Sequence, residues 1–411
     1  MMRALILIIN AMHHISKEID FRKLTLLSLF VAATMLPAFA PIPTYAATAT
    51  VTTTKTTALT PKNIKIDDFV ARIPVHILGM QTADPTGLTP DRIKAAYGLP
   101  KTGGTGTIAI VTAFDDKSAE SDLATFDTKF GLAACTAKNK CLTTHPMSKT
   151  ITQNAGWALE TALDVEWAHA IAPNAKILLV EATSDGGAAL LKAIDYARKQ
   201  TDVVAVSMSW GGDEFKDETK DDTHFTSDHK IAFFAASGDD GSGASWPAAS
   251  PNVISVGGTS MTFKSNGGLD AEKAWSGSGG GVSAYEKEPG FQVSYSIAKA
   301  QGMRAIPDVA YDADPHSGYS VYHLNGWYTV GGTSAGSPQW AAIKSLGGIA
   351  STSSSTLTFL TKLYEDKAAA DHAQFFRDIT SGSNGDCTFY CDARKHYDYV
   401  TGLGTPLTYR F

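Results

Sequence analysis

The residues of this chain best suited to chemistry are a serine in a glycine-rich turn and a pair of carboxylates. Ser334 lies in Gly-Gly-Thr-Ser-Ala-Gly-Ser-Pro (331–338), and Glu160 and Asp164 lie in Trp-Ala-Leu-Glu-Thr-Ala-Leu-Asp-Val-Glu-Trp (157–167). A serine hydroxyl is a poor nucleophile until a base accepts its proton. No histidine accompanies Ser334 in the sequence context usual for serine hydrolases, so we expect a carboxylate base, which implies work in acid.

The two carboxylates lie four residues apart in a predicted helix, Ala155–Ile171, so they share one face of it. Two carboxylates held close together cannot both ionise easily, and they tend to share a proton. The apolar residues between Trp157 and Trp167 predict that this helix is largely buried, and buried paired carboxylates need a functional reason. The alternative is a solvated acidic face, which is the usual interpretation of such a pair.

Ser334 itself lies between a glycine-rich turn and a predicted helix, Pro338–Ser345. A nucleophile placed there would be accessible and close to a positive helix end. Gly331 and Gly332 would let a substrate backbone approach closely. Two alternatives remain: Ser337 as the nucleophile, or a serine that only caps the turn.

Three separated segments, taken in this order, resemble the sedolisin family of serine-carboxyl peptidases, which are acid relatives of subtilisin. They are Glu160-x-x-x-Asp164, Ser-Gly-Asp-Asp-Gly (237–241) and Gly-Thr-Ser-Ala-x-x-Pro (332–338). The resemblance runs from about Leu88 to the C-terminus. Flanking matches are Leu-Thr-Pro-Asp-Arg-Ile-Lys-Ala-Ala-Tyr (88–97), Ser-Met-Ser-Trp-Gly-Gly (207–212), Asp-Ile-Thr-Ser-Gly (378–382) and Thr-Gly-Leu-Gly-Thr-Pro (401–406).

The resemblance implies a role for each catalytic candidate. Glu160 would take the proton of Ser334, Asp164 would orient Glu160, and a protonated Asp239 would donate to the oxyanion. A free aspartate titrates near ~3.9, so Asp239 needs a raised pKa, an acid medium, or both. The alternative for Asp239 is a turn aspartate in Ser-Gly-Asp-Asp-Gly. A histidine mechanism would have to use His169, which the helical period places opposite Glu160.

The resemblance also implies one structural calcium ion near the C-terminus. The expected ligands are the carboxylates of Asp378 and Asp398, with the backbone carbonyls of Ile379, Arg394 and His396. The family prefers glycine at the last two carbonyl positions, which this chain lacks. Hard oxygen ligands of this kind suit calcium. The alternative is a polar surface loop.

The hydrophobic pattern predicts an α/β fold. Short runs rich in Val, Ile, Ala and Phe lack polar alternation and alternate with helical segments, as in a mostly parallel sheet buried on both faces. The resemblance makes this a three-layer, subtilisin-like domain. The predicted strands are Thr107–Phe114, Ala175–Ala182, Val203–Trp210, Ile231–Ser237 and Val253–Val256; the remaining predicted helices are Ala119–Phe130, Ala188–Lys199 and Leu357–Ala369.

The sequence predicts three regions. Residues 1–46 are typical of a secretory signal peptide, with Arg22 and Lys23 before an apolar run that ends in small residues. A membrane anchor is the alternative for this run. Residues 47–87 are interpreted as a Thr-rich leader or linker, and 88–411 as the peptidase domain with its calcium loop. A full propeptide, which the family usually carries, is not expected in so short a leader.

Composition limits the partners and the compartment. The net charge of −6 over 411 residues offers no basic stripe, so nucleic acid is not an expected partner. After signal removal no membrane association is expected. The cysteines form two close pairs, Cys135 with Cys141 and Cys387 with Cys391, which predict two local disulfides in an exported protein. A four-cysteine zinc site is the alternative.

Together these features predict a secreted, acid-active serine endopeptidase that acts on protein or peptide substrates as a monomer. The alternative from another class is a catalytically inactive secreted relative that acts as a binding or surface protein. The presence of Ser334, Glu160 and Asp239 favours the enzyme. The short leader favours the alternative.

Overall fold

The computed structural model describes residues 64–347, 355–365 and 372–411, all within one compact unit, 56–411. The predicted signal peptide therefore lies outside the described residues, as do positions 366–369 of the last predicted helix. The helices are α1 Pro90–Ala96, α2 Ala119–Phe130, α3 Ala155–Ile171, α4 Gly187–Ala197, α5 Gly290–Tyr295, α6 Gly336–Leu346, α7 Thr356–Glu365 and α8 His372–Phe375. The strands are β1 His76–Thr82, β2 Thr107–Ala113, β3 Leu142–Pro146, β4 Lys176–Ala182, β5 Val203–Met208, β6 Gly212–Asp213, β7 Ala232–Ala236, β8 Ser245–Trp246, β9 Ile254–Phe263, β10 Leu269–Ala274, β11 Gly281–Lys287, β12 Met303–Ile306, β13 Val309–Asp312, β14 Tyr319–His323, β15 Gly326–Gly331, β16 Phe376–Arg377 and β17 Thr405–Pro406.

A mostly parallel sheet lies at the centre, in the order β10-β9-β7-β5-β2-β4-β3, with β13 also paired to β9. Within it, the β10–β9 pair is antiparallel. Alternate residues of β2 enter different cores: Ile108 and Ile110 pack with α2, α3 and α6, whereas Ala109 and Val111 pack with α4. Helices thus cover both faces of the sheet, and the predicted three-layer α/β fold is confirmed.

The helix that carries the carboxylate pair begins where its sequence provides a cap. The side chain of Asn154 accepts hydrogen bonds from the amides of Gly156 and Trp157, which satisfies two of the free donors at the start of α3. The helix is buried along most of its length, from Trp157 to Ile171. Glu160 and Asp164 are therefore held on a rigid, water-excluded element.

Residues 64–82, placed by the sequence in a leader, are part of the folded unit. Phe69 and Ala71 are buried in the same core as α4, which removes their apolar surface from water. β1 pairs antiparallel with β15, the strand that leads into the Ser334 turn. Residues 64–82 thus pack against and pair with residues of the region that the sequence places at 88–411.

Two local disulfides, Cys135–Cys141 and Cys387–Cys391, are present as predicted. Their sulfurs are thus not free to form the alternative zinc site. Within the described ranges, no helix has both the length and the apolar character needed to cross a membrane.

Candidate active site

The structure brings Ser334, Glu160, Asp164 and Asp239 to one place at the carboxyl ends of the central strands. Ser334 lies in a short 3-10 turn, Thr333–Ala335, that runs into α6. The side chain of Ser209, just after β5, links the two halves of the site. Its hydroxyl donates to Oδ1 of Asp164 at 2.6 Å and lies 3.1 Å from the carbonyl of Ser334.

Burial dominates the electrostatics of the carboxylate pair. Glu160 and Asp164 have no exposed surface. Loss of hydration raises the pKa of Glu160 well above its usual range, and the neighbouring Asp164 raises it further. Burial likewise raises the pKa of Asp164, against the hydrogen bond from Ser209. Two carboxyls coupled in this way titrate as a pair and not independently.

The Ser334 hydroxyl has two acceptors within reach. It lies 3.4 Å from the carbonyl oxygen of Ser209, which is a long hydrogen bond. It is also close enough to Glu160 to lower the pKa of that carboxyl. In this structure neither oxygen of Glu160 accepts a well-formed hydrogen bond from the described residues. Both oxygens of Glu160 are therefore available to accept the proton of Ser334.

Asp239 is held against the serine turn. Its Oδ1 accepts the amide of Thr333 at 2.9 Å and the hydroxyl of Thr333 at 2.7 Å. Its Oδ2 lies 3.1 Å from Nε2 of His76. Burial raises the pKa of Asp239, while His76 and Thr333 lower it. A carboxyl with a raised pKa, beside the Ser334 amide, can donate a hydrogen bond once it is protonated.

The alternatives considered for the nucleophile and the base lie elsewhere. The hydroxyl of Ser337 is buried and hydrogen-bonded to Ser207 at 2.8 Å. Nε2 of His169 lies 2.9 Å from the carbonyl of Ala133, and burial lowers its pKa. In the described part of the chain, no hydrogen bond joins Ser334 to a histidine.

An extended segment of the chain itself runs through the cleft in front of Ser334. The amide and carbonyl of Arg72 pair with Gly211 at 2.8 and 3.0 Å, and Ala71 donates to Asp185 at 2.9 Å. Two residues further on, the carbonyl of Pro74 accepts the Ser334 amide at 3.4 Å. The segment then continues into β1. It follows the path expected of a bound peptide, with the Pro74 carbonyl at the amide proposed for the oxyanion.

Two pairs among the expected calcium ligands are in contact. The carboxylate of Asp378 accepts the amide of His396, and Oδ2 of Asp398 accepts the amide of Arg394 at 3.1 Å. Ile379 is buried in a small apolar cluster beneath this loop. His396 has a φ of 69°, in the left-handed region where glycine is preferred. This conformation explains why a glycine is usual there.

Four further carboxylates form a second cluster. They are Glu214, Glu218, Asp222 and Glu286, and Glu218 and Glu286 are almost fully buried. Burial, followed by the charge of Glu214, raises the pKa of Glu218 to about 10. Burial, followed by the charge of Asp222, raises the pKa of Glu286 to about 8. Burial raises the pKa of Glu214 and Asp222 as well, and so favours the protonated form of all four carboxyls.

Sequence reasoning missed several residues that contact the site. Ser209 and Thr333 were inside motifs singled out for other residues, so only the structure shows that they bind Asp164 and Asp239. Arg72 and His76 carry no local signal, because their partners lie more than a hundred residues away in the chain.

Comparison with known proteins agrees with this geometry. The sequence model of the Subtilase family matches residues 152–347. Sedolisin of Pseudomonas sp. (strain 101) is 33% identical over 175 residues, which cover 39% of this chain and 28% of that protein. Kumamolisin of Bacillus sp. (strain MN-32) is 29% identical over 370 residues, covering 80% of this chain and 64% of that protein. The chain thus spans less than two thirds of these curated relatives.

Comparison with solved structures supports the same relationship. Pseudomonas sedolisin, a serine-carboxyl proteinase solved with two molecules of pseudo-iodotyrostatin, superposes with a TM-score of 0.67 at 26% identity. The match covers 79% of this chain and 96% of that one. Sphericase, at 18% identity and a TM-score of 0.53, shares the fold. The fold and the comparisons together define a subtilisin-like protein. The matches to sedolisin and kumamolisin support the resemblance of this chain to the sedolisin family of serine-carboxyl peptidases.

Proposed function

We propose that this protein is a secreted, acid-active endopeptidase that cleaves peptide bonds through an acyl-enzyme on Ser334. The observation that carries the proposal is the fully buried carboxylate pair on α3, linked through Ser209 to the backbone of Ser334. A buried pair of acids beside a serine hydroxyl is costly to fold and is explained by proton transfer.

The steps follow from the contacts. Glu160 accepts the proton of Ser334 as the serine oxygen bonds to the substrate carbonyl carbon. Protonated Asp239 and the Ser334 amide donate to the oxyanion. The carbon–nitrogen bond then breaks, and Glu160 returns its proton to the leaving amine. Glu160 then accepts a proton from water, which hydrolyses the acyl-enzyme. Asp164 stays protonated and orients Glu160 throughout.

The proposed pH dependence follows from the opposite requirements of Asp239 and Glu160. Asp239 can donate only when it is protonated, and that form is lost as the pH rises through its raised pKa. Glu160 can accept a proton only when it is ionised, and that form is lost as the pH falls. The rate is therefore expected to be highest between these two limits.

Internal cleavage is supported by the chain's own segment in the cleft. The segment extends upstream of Pro74 through Arg72 to Phe69, whose carbonyl accepts the amide of Gly187 at 2.9 Å. A substrate bound in this way continues well beyond three residues before the reacting carbonyl. An enzyme restricted to removing short N-terminal peptides would need this end of the cleft closed.

One calcium ion, held by Asp378, Asp398 and the carbonyls of Ile379, Arg394 and His396, completes the proposal. The donor set fits, because all five ligands are hard oxygens. Asp398 is almost fully buried (2% exposed), and its carboxylate accepts hydrogen bonds from neutral donors: the amides of Arg394, Val400 and Thr401 and the hydroxyl of Thr401. A cation would compensate this charge and stabilise the loop. Secretion is supported by the two disulfides, which persist in oxidising compartments.

Covalent labelling tests the proposal against the inactive alternative. An acyl-trapping inhibitor should label wild-type protein in acid, and Ser334→Ala should abolish the label. Ser337→Ala is the matched control, because it removes a neighbouring buried serine hydroxyl. Equal labelling of wild type and Ser334→Ala would reject Ser334 as the nucleophile.

A further inference from the structure

The side chain of Arg72 is seated on two acidic residues of the cleft wall. Its guanidinium lies 2.7 Å from Oδ1 of Asp213 and 3.5 Å from Oδ2 of Asp240. Asp213 is mostly buried, with 19% of its side chain exposed, whereas Asp240 is open to solvent. Neither aspartate has a part in the proposed proton transfer.

Backbone pairing fixes the place of Arg72 relative to the reacting bond. Its amide and carbonyl both pair with Gly211, which is the arrangement of one residue in an added antiparallel strand. Pro74, two residues later, presents its carbonyl to the Ser334 amide. In a peptide that binds by the same backbone contacts, the residue whose carbonyl is attacked takes the place of Pro74. The residue two positions before it takes the place of Arg72, and its side chain lies beside Asp213 and Asp240.

We propose that Asp213 and Asp240 form a subsite that selects substrates with a basic side chain two residues before the residue whose carbonyl is attacked. The inference rests on the proposed peptidase function and names its substrate class. Arginine fits best, because its planar guanidinium can bond to Asp213 while it remains near Asp240. Lysine offers only one charged atom, so we expect it to be the second most favoured side chain at this subsite.

The size of the preference follows from exposure. The Arg72 side chain is 59% exposed, so water screens much of its attraction to the two aspartates. We expect a peptide with arginine at this position to be favoured over one with alanine by about three- to tenfold. Raising the salt concentration should reduce the ratio, because exposed charges are screened.

Binding provides a test that does not depend on turnover. The probes are fluorescent octapeptides with the sequence of residues 70–77, Val-Ala-Arg-Ile-Pro-Val-His-Ile, and versions with Lys, Ala or Glu in place of Arg. Their affinity is measured by anisotropy for the full chain carrying Ser334→Ala together with Arg72→Ala, which removes the chain's own guanidinium from Asp213 and Asp240. The expected order is Arg, Lys, Ala, Glu. Asp213→Asn should bring the Arg and Ala peptides to equal affinity, and Asp217→Asn, which removes an exposed aspartate paired with Lys220, should not.

The outcomes separate this inference from the function on which it rests. Equal affinity for the Arg and Ala peptides would overturn the subsite. In parallel, turnover of the same peptides is measured as kcat/KM with protein that keeps Ser334. No turnover of any peptide, with the Arg preference retained in binding, would count against the peptidase and not against the subsite.

Discussion

His76 binds the aspartate proposed for the oxyanion hole: its Nε2 lies 3.1 Å from Oδ2 of Asp239. The contact stabilises the protonated, charged form of His76 and the ionised form of Asp239. The hydrogen bond to Asp239 raises the pKa of His76, and His76 in turn lowers the pKa of Asp239. Because His76 lies on β1, the segment that occupies the cleft also sets the protonation of this aspartate.

Replacing His76 should extend activity toward neutral pH. His76→Gln removes the group that favours the ionised form of Asp239, so the pKa of Asp239 rises and its donating form persists to higher pH. The alkaline limb of the pH dependence of kcat/KM should move up by about one pH unit. His316→Gln, which breaks an exposed histidine–aspartate pair with Asp314, is the control. A limb that moves down or stays in place would exclude this coupling.

Substitutions of Asp239 should separate hydrogen-bond donation from acidity. Asp239→Ala removes one oxyanion donor and should lower kcat by about 10²–10³-fold. Asp239→Asn keeps a donor at every pH, so it should retain more activity than Asp239→Ala and lose less of it on the alkaline side. If the asparagine and alanine variants are equally impaired at all pH values, Asp239 has another role.

The second carboxylate cluster should make the fold more stable in acid than at neutral pH. Burial raises the pKa of Glu218 from 4.5 to about 10, so the folded state holds a proton that the unfolded state releases. That stability is fully present below pH 4.5 and is lost as the pH rises toward 10. The Tm at pH 4.5 should exceed that at pH 8 by about 5 °C or more.

The matched variant tests which carboxylate is responsible. Glu218→Gln keeps the size and removes the charge, so it should reduce the difference in Tm between the two pH values. Glu120→Gln, at an exposed site on α2, should leave the difference unchanged. A Tm that increases from pH 4.5 to pH 8 in the wild type would contradict the cluster's role.

Calcium should stabilise the folded protein. A ligand present at a hundred times its Kd adds about 2.7 kcal/mol to the free energy of unfolding, so excess chelator should lower Tm measurably. Asp398→Asn should remove this response. Asp392→Asn, an exposed loop aspartate near Arg394, should keep it. An unchanged Tm in chelator would exclude a structural calcium ion.

Local signals were enough to predict the central elements. α2 and α3 have the predicted bounds, because Gly131 ends the first in the left-handed conformation and Asn154 caps the second. The buried strands were recognised because continuous apolar runs are typical of parallel sheets. The hairpin β14–β15 and the antiparallel strand β10 were missed, since their polar and aromatic residues give no comparable run.

The candidate site was predictable where one motif carries the chemistry, as at Ser334 and Glu160. It was not predictable where a contact joins distant parts of the chain. The role of residues 69–76 in the cleft is the clearest example, because nothing in that stretch indicates that Gly211 and Ser334 are its partners. Such contacts depend on tertiary packing and leave no periodic pattern in the sequence.

The most direct test of the carboxylate mechanism is hydrolysis of denatured protein from pH ~2 to 8 by wild type and Glu160→Gln. Glu166→Gln, at another buried glutamate of α3, is the control. We expect wild type and Glu166→Gln to be active in acid alone, and Glu160→Gln to lose about 10²–10⁴-fold or more. Activity that peaks near neutral pH, or that survives Glu160→Gln, would contradict Glu160 as the general base.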